Sequence, residues 1–557
     1  MGSRVPVIGR DTRGFPPVRA LLGGFSGATW FTGSVHQTLT TPTSSAPVWR
    51  TLPWPVLALL GLIAVAISVT GSWIPSLWGD EAASIMSAQR DWGSLWAMLG
   101  TVDAVHGLYY AFLHLWIDIF GASPFSVRLP SALAVGGAAI LLARLATLLA
   151  GRGVGVVAAL LFATVPRVTY YGTETRAYAF TMLLVIWLLL VLVRLVARRE
   201  PRVLPWLGFA VLFALSSVVF IYTVLFVVVF AVIVIAMRPG LSIVLRAALW
   251  SALGAILAVP VVIYAYLERE QVAFLHSRDG LTMSALFETP WFSQQLPALI
   301  GWALIVIGLV LAVVAWLLRR SSGVRARALR DLYRPEDAAL PGVLTVALPW
   351  LVVPSVLLAL GTTVTPLYSP RYLAFTAPAI ALLMAVGLVA LTRLLRARWL
   401  VPILVIAVVW GSLPTYLGQR TPYPRNGGVD WNTLSETVAE HARPGDSIIF
   451  DQTAINAKKP RLAKYLYPEA FAGLKDVGLK TRFDDTDGLW DRAYSTAETV
   501  QRLDGAETVW LVRAGERFST DQAKSDAYVT ELERAGYEQT ESFELHRSIL
   551  VRFELTR

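Results

Sequence analysis

The chain has no cysteine, and that single absence removes several chemistries. Disulfide scaffolds, thiolate nucleophiles and cysteine-based metal sites are excluded. Lysine is nearly missing as well. All six lysines lie after residue 457, so arginine is the only permanent side-chain cation in the long stretch before it. Charged residues make up 15% of the chain against 55% hydrophobic. That balance excludes an ordinary soluble domain and indicates a polytopic membrane protein. The net charge of +10 does not signal nucleic acid. Its arginines fall in short clusters between apolar runs, which is topology signalling and not a basic binding face. Repeats of solenoid period are also missing.

What is present is a series of apolar runs near ~20 residues, the length that spans a bilayer. They fall at 53–71, 128–150, 154–168, 177–196, 203–220, 222–237, 246–264, 296–318, 341–360, 373–391 and 399–417. About eleven transmembrane helices are expected. The first run is too long for a signal peptide and lacks a small-residue cleavage site. Residues 1–50, rich in Gly, Ser, Thr and Pro, read as a disordered cytosolic tail or as an over-long start assignment. With the N-terminus inside, segments 1–50, 151–153, 194–202, 237–246, 319–340 and 393–398 hold 21 arginines against 5 acids. The first outer loop, 72–127, holds Arg90 alone against Asp80, Glu81, Asp91, Asp103 and Asp118. This bias supports dividing the 203–237 stretch into two spans, and it places everything after residue 417 outside the plasma membrane.

Residues 418–557 differ in composition, with 19 basic and 23 acidic residues. Segments 447–450, 508–512 and 548–553 read as strands, and 521–535 as an amphipathic helix. A small extracytoplasmic α/β domain is expected. The expected architecture is therefore a transmembrane domain over 51–417 and a soluble domain over 418–557. The loop 72–127 carries two expected helices on the membrane surface, near 81–99 and 107–120.

Asp80-Glu81 is the leading chemical candidate. Carboxylates at a membrane face are costly to desolvate and mark function. One of them suffices as general base for a hydroxyl attacking an activated sugar whose leaving group is a phosphate, unlike glycoside hydrolysis, which needs a second carboxyl as acid. Asp103 and His106 share the same outer loop, and with a carboxylate they would suit a divalent metal. His276, in the loop 265–295, is a weaker candidate for the same role. The outer turn Thr169–Tyr178 contains Tyr171, Glu174 and Arg176. Arg371 and Tyr372 open the tenth run. Outward arginines break the charge trend, and two of them flanked by tyrosines could bracket one phosphate. An Arg176–Glu174 pair or a snorkelling interfacial arginine would be the purely structural use of the same residues.

These motifs, in this order, resemble the GT-C membrane glycosyltransferases, within them the branch of protein O-mannosyltransferases and aminoarabinose transferases. Trp78-Gly79-Asp80-Glu81 matches that branch's Trp-x-Asp-Glu. His106-Gly107-Leu108-Tyr109-Tyr110 is one residue shorter than its His-Pro-Pro-Leu-Tyr-Tyr. Phe125 to Ala132, Tyr170-Tyr171 to Arg176-Ala177-Tyr178, and Arg371-Tyr372 resemble later motifs. The resemblance covers about residues 53–417. It implies a GT-C fold, Asp80 as catalytic base, Arg176 near the donor phosphate, a polyprenyl monophosphate sugar as donor, and inversion at the anomeric carbon. The missing Pro-Pro, and Val224 where relatives often carry a histidine after Tyr-Thr, weaken transfer of a metal site. Abundant Ala, Val, Leu and Arg with scarce Lys suggests a high-GC genome such as an actinobacterium's. A decaprenyl-phosphomannose type of donor and an envelope glycan or lipoglycan acceptor are then expected. Another donor sugar such as arabinose, a protein acceptor, or a secondary transporter are the alternatives.

Overall fold

The computed structural model describes residues 51–270, 281–335, 337–363, 368–425 and 427–556. The expected tail 1–50 and His276 lie outside these residues. The chain begins with apolar helix α1 (Trp54–Val69) and forms α2 (Gly79–Ala88), α3 (Trp92–Leu99) and α4 (Gly107–Phe120) in the outer loop. It continues through α5 (Pro124–Ala150), α6 (Arg152–Thr164), α7 (Pro166–Tyr171), α8 (Tyr178–Ala197), α9 (Val203–Val219) and α10 (Phe226–Met237). The helical part is completed by α11 (Leu241–Leu257), α12 (Val259–Leu267), α13 (Met283–Phe287), α14 (Gln295–Leu317), α15 (Val324–Tyr333), α16 (Val343–Gly361), α17 (Ala377–Leu395) and α18 (Leu400–Gly418).

Each apolar run of the sequence contains helix, but they are unequal. Among the described residues six helices are long and apolar enough to cross a membrane, and α11 with α12, bent by 45°, makes a seventh. The helices at 54–69, 152–164, 203–219 and 221–237 are apolar but shorter. The 203–237 stretch divides where Phe220 leaves α9 in an extended conformation and a 3₁₀ turn, Ile221–Leu225, precedes α10. Small residues let the helices approach closely, as expected for packing within lipid. A Cβ on Gly387 of α17 would lie 1.9 Å from the Leu304 carbonyl of α14. One on Gly136 of α5 would lie 2.4 Å from the Val65 side chain of α1.

The C-terminal part contains α19 (Trp431–His441), β1 (Ser447–Phe450), α20 (Leu462–Leu466), β2 (Lys475–Asp476), β3 (Leu479–Thr481), β4 (Arg492–Ala493), α21 (Thr496–Gln501), β5 (Thr508–Ala514), α22 (Gln522–Arg534), β6 (Tyr537–Glu544) and β7 (Ser548–Leu555). Five strands form one sheet in the order β2-β1-β5-β7-β6. β1 runs parallel to β2 and β5, whereas β7 is antiparallel to β5 and β6. β1 is buried throughout, which explains why its apolar residues run without alternation. Leu77, Ile85, Leu95 and Met98 of the outer loop share a hydrophobic core with Trp431, Phe450, Phe471 and Trp510. The soluble domain is therefore seated on the loop that carries Asp80-Glu81.

Candidate active site

α2 begins at the loop's acidic pair, and Asp80 and Glu81 both fall in its first turn, where negative charge complements the helix dipole. Consecutive residues on an α-helix point about 100° apart. The two carboxylates accordingly face different surroundings.

Glu81 faces inward and is fully buried. Arg128, near the start of α5, donates from Nε to Oε1 at 2.8 Å and from Nη2 to Oε2 at 2.6 Å. The Thr175 backbone N–H donates to Oε1 at 3.1 Å, and Arg425 Nη1 lies 3.7 Å away. Arg128 also donates to the carbonyls of Ser72, Pro75 and Ser76. Burial raises the Glu81 pKa, but Arg128 and then Arg425 outweigh it, so the carboxyl stays below its ordinary value and ionised. Glu81 therefore does not face the surface that Asp80 faces. Its oxygens are consumed in a buried strut that joins α2, α5 and the Thr173–Arg176 turn.

Asp80 faces a partly open surface. Arg371 Nη1 lies 2.5 Å from its Oδ2, and Arg176 Nη2 lies 3.7 Å from the same oxygen. Desolvation raises the Asp80 pKa. The Arg176 and Arg371 charges lower it by more, leaving it below the usual carboxylate range. Arg176 Nη1 also donates to Ser84 Oγ at 3.2 Å and to the Tyr110 hydroxyl at 3.4 Å. Its Nε is buried without a hydrogen bond. Three residues distant in sequence, 80, 176 and 371, thus meet at one end of the helical part, at the mouth of the outer loop.

The remaining candidates border this cluster. Asp103, in a left-handed backbone conformation (φ 59°), accepts from the Tyr110 hydroxyl at 2.8 Å. The half-buried His106 ring packs 5.8 Å from the Tyr110 ring. Desolvation, then Arg176, push its pKa down to about 4, so the imidazole is neutral near pH 7. Glu174 is buried, with Oε2 unpaired, and desolvation raises its pKa to about 7. The Arg176–Glu174 ion pair that sequence proximity suggests does not form among the described contacts; Arg176 turns to Asp80 instead. Tyr372 stacks on Tyr222 with centroids 4.8 Å apart. The Tyr171 ring lies 4.9 Å from the Tyr178 ring, and its hydroxyl is buried without a partner.

The donor set does not fit the divalent metal that Asp103 and His106 suggested. Among the described residues no three His, Asp or Glu side chains form a group able to hold a metal ion. The best-placed carboxylate, Asp80, already faces two fixed guanidiniums.

Several residues that build the site have no strong sequence signal. Arg128 obeys the rule that singled out Arg176 and Arg371, an arginine at an outer helix end, yet its partner Glu81 is 47 residues away. Arg425 comes from the polar segment after α18. Besides facing Glu81, it donates to the Thr173 carbonyl at 2.7 Å. The soluble domain forms a ceiling over α2 and α3. The Leu77 N–H donates to the Tyr467 hydroxyl at 3.0 Å, and Arg90 Nη1 donates to the Thr486 carbonyl at 2.8 Å. A Cβ on Gly79 would lie 2.3 Å from the Ala457 carbonyl oxygen, so only glycine fits beneath that backbone.

The crystal structure of ArnT from Cupriavidus metallidurans bound to undecaprenyl phosphate matches with a TM-score of 0.50 at 13% identity, covering 89% of this chain and 97% of that one. The fold is that of the GT-C membrane glycosyltransferases. With that fold, the six or seven helices long and apolar enough to cross a membrane are those of a multi-pass membrane protein. Residues 107–264 match the family of dolichyl-phosphate-mannose-protein mannosyltransferases, a window that holds Arg128, Glu174 and Arg176 but not Asp80 or Arg371. Two further structures are more distant. The Archaeoglobus fulgidus oligosaccharyltransferase in complex with Zn and sulfate has a TM-score of 0.45 at 12% identity, over 89% of this chain and 72% of that one. The mycobacterial arabinofuranosyltransferase AftD has 0.44 at 17%, over 91% and 40%. No curated protein matches the chain in sequence.

Proposed function

We propose that this chain is an inverting glycosyltransferase that moves a sugar from a polyprenyl phosphate to a hydroxyl group at the outer face of the plasma membrane. The observation that carries the reading is Asp80 lying beside two guanidiniums, Arg371 and Arg176, in a GT-C fold. Asp80 takes the proton from the acceptor hydroxyl. The acceptor oxygen attacks the anomeric carbon from the face opposite the phosphate, and the carbon–oxygen bond to phosphate breaks. The polyprenyl phosphate leaves with that electron pair, its charge held by Arg176 and Arg371, bidentate and permanently cationic.

The ion pairs give this scheme an order of events. With Arg371 on it, Asp80 is a poor base, because its pKa is depressed. A donor phosphate competes for the same guanidiniums. As they turn toward it Asp80 loses part of its stabilisation and becomes a better proton acceptor. Donor binding thereby readies the base. Glu81 acts here as a positioning residue, holding α2 through Arg128 and Arg425.

Mannose is the sugar that the matched family's description names, together with a protein acceptor; the high-GC composition instead favours a donor of the decaprenyl-phosphomannose type and an envelope glycan or lipoglycan as acceptor, and these are the substrates proposed. The charge bias of the loops supports a cytosolic N-terminus and an extracytoplasmic soluble domain. The test is transfer by purified protein from a panel of short polyprenyl phosphate sugars, mannose and arabinose included, comparing wild type with Asp80→Asn. Transfer from the mannose donor that falls ~10²-fold or more in the variant, the scale of losing a general base, is the expected result. Transfer that survives the substitution rejects Asp80 as base. Transfer from the arabinose donor alone rejects mannose.

A further inference from the structure

The opposite end of the helical part, away from Asp80, carries a second group of unpaired charges. The first residues of α1 and the C-terminal ends of α5 and α8 enclose a cavity of about 340 Å³ there. Arg144 and Arg194 line it together with Trp54, Leu52, Leu57 and Leu148. The Arg144 guanidinium lies 5.4 Å from the centre of the Trp54 ring. Arg194 Nε is buried and makes no hydrogen bond. Among the described residues no carboxylate pairs with either arginine. Two guanidiniums facing one cavity repel each other, and at the edge of a bilayer that repulsion is poorly screened.

From this geometry we infer a binding site for the phosphate of an anionic glycerophospholipid headgroup, held by Arg144 and Arg194. A phosphate diester supplies the missing negative charge, and its oxygens match the fork of a guanidinium. The cavity far exceeds the ~10–15 Å³ that one water needs, and its apolar wall suits the first carbons of acyl chains. Basic pockets between transmembrane helices on the cytoplasmic side are suited to anionic headgroups. The wall of Leu52, Leu57 and Leu148 favours an amphiphile over free phosphate. The site lies at the other end of α1, α5 and α8 from Arg176 and Arg371, so it is separate from the donor phosphate position and independent of which sugar is transferred.

The experiment is native mass spectrometry of the delipidated full chain titrated with phosphatidylglycerol, with phosphatidylcholine, and with inorganic phosphate. Wild type is expected to retain one phosphatidylglycerol at least about fivefold more tightly than phosphatidylcholine, and Arg144→Gln and Arg194→Gln should each reduce that preference about fivefold, the scale of one arginine at an anionic surface. Arg202→Gln, exposed at the same end, should leave it unchanged. If a glutamine variant fails to fold, Arg144→Lys and Arg194→Lys replace it; each keeps the charge, loses the fork and should weaken the preference partially. Equal retention of the two lipids by wild type overturns the inference. So does an Arg202→Gln effect as large as that of the cavity variants, which would mean general surface charge, or displacement of the lipid by millimolar inorganic phosphate, which would mean a soluble-anion site.

Discussion

Glu81→Gln separates the two neighbouring carboxylates in one experiment. The substitution keeps the shape of the side chain and removes its charge from a fully buried place. It leaves Arg128 and Arg425 without a counter-ion. Removing one partner of a buried ion pair costs about 3–5 kcal/mol. The lower end applies here, because the Gln oxygen can still accept from the Thr175 N–H or from one arginine N–H. A loss of about 3 kcal/mol is a large share of the net stability of most domains. Unfolding of the purified protein in detergent, by heat or by denaturing detergent and followed by tryptophan fluorescence, should therefore shift strongly. Asp80→Asn, at a partly exposed position, should shift it by no more than about 1 kcal/mol while nearly abolishing transfer. Arg128→Met added to Glu81→Gln should recover part of the loss, since the variant then buries one fewer unpaired charge. The pH dependence carries the same signature. Glu81 in the folded chain lies below its ordinary value of 4.5, so its contribution is complete above about that pH and drains away as pH falls through the folded value. The glutamine variant lacks that acid limb. Unfolding unchanged from wild type, together with a transfer defect equal to that of Asp80→Asn, would refute the reasoning and make Glu81 part of the chemistry.

Glu174 should behave in the opposite sense. Its folded pKa of about 7 lies above the ordinary 4.5, so folding loses stability as pH rises from about 4.5 through 7. Glu174→Gln should flatten that slope and stabilise the protein at pH 8 by up to ~3 kcal/mol, with little change at pH 4, read by unfolding at the two pH values. Gly79→Ala should cost about 1–3 kcal/mol by overpacking against the Ala457 backbone. It should also reduce transfer by as much as ~10²-fold, the scale of a displacement near 1 Å at a reacting group, because Asp80 is the next residue.

Much of this arrangement is legible from residue type and spacing. Asp80, Arg176 and Arg371 stand out because charge at an outer helix end is rare in this chain, and the structure brings all three together. Strands β1, β5 and β7 stand out because they are apolar and central. β6 does not, since Tyr537–Glu544 is mostly polar, and it forms the exposed edge of the sheet. The adjacency of Asp80 and Glu81 misleads, because side-by-side residues on a helix do not share a face. Arg425 is silent in the sequence: it lies in a polar segment with other arginines, and nothing local indicates a carboxylate 344 residues earlier (425 − 81). The possible metal role of Asp103 and His106 gains no third ligand from Asp80, which is committed to arginines.

The ceiling over α2 has a consequence for biosynthesis. Leu77 and Tyr467, joined by a hydrogen bond, are 390 residues apart. At a ribosomal rate of about 5–20 residues per second, α2 waits roughly 20–80 s for the domain that covers it. For most of that interval, from the synthesis of Arg128 to that of Arg425, Glu81 has only the first of its two arginines, and Gly79 has no backbone above it until Ala457 is made. A chain stopped before about residue 470 would keep every residue assigned to the chemistry yet lack the surface that holds them. Under the proposed mechanism, transfer would therefore begin only in chains translated through to their soluble domain, and the last quarter of the sequence would serve as a quality check.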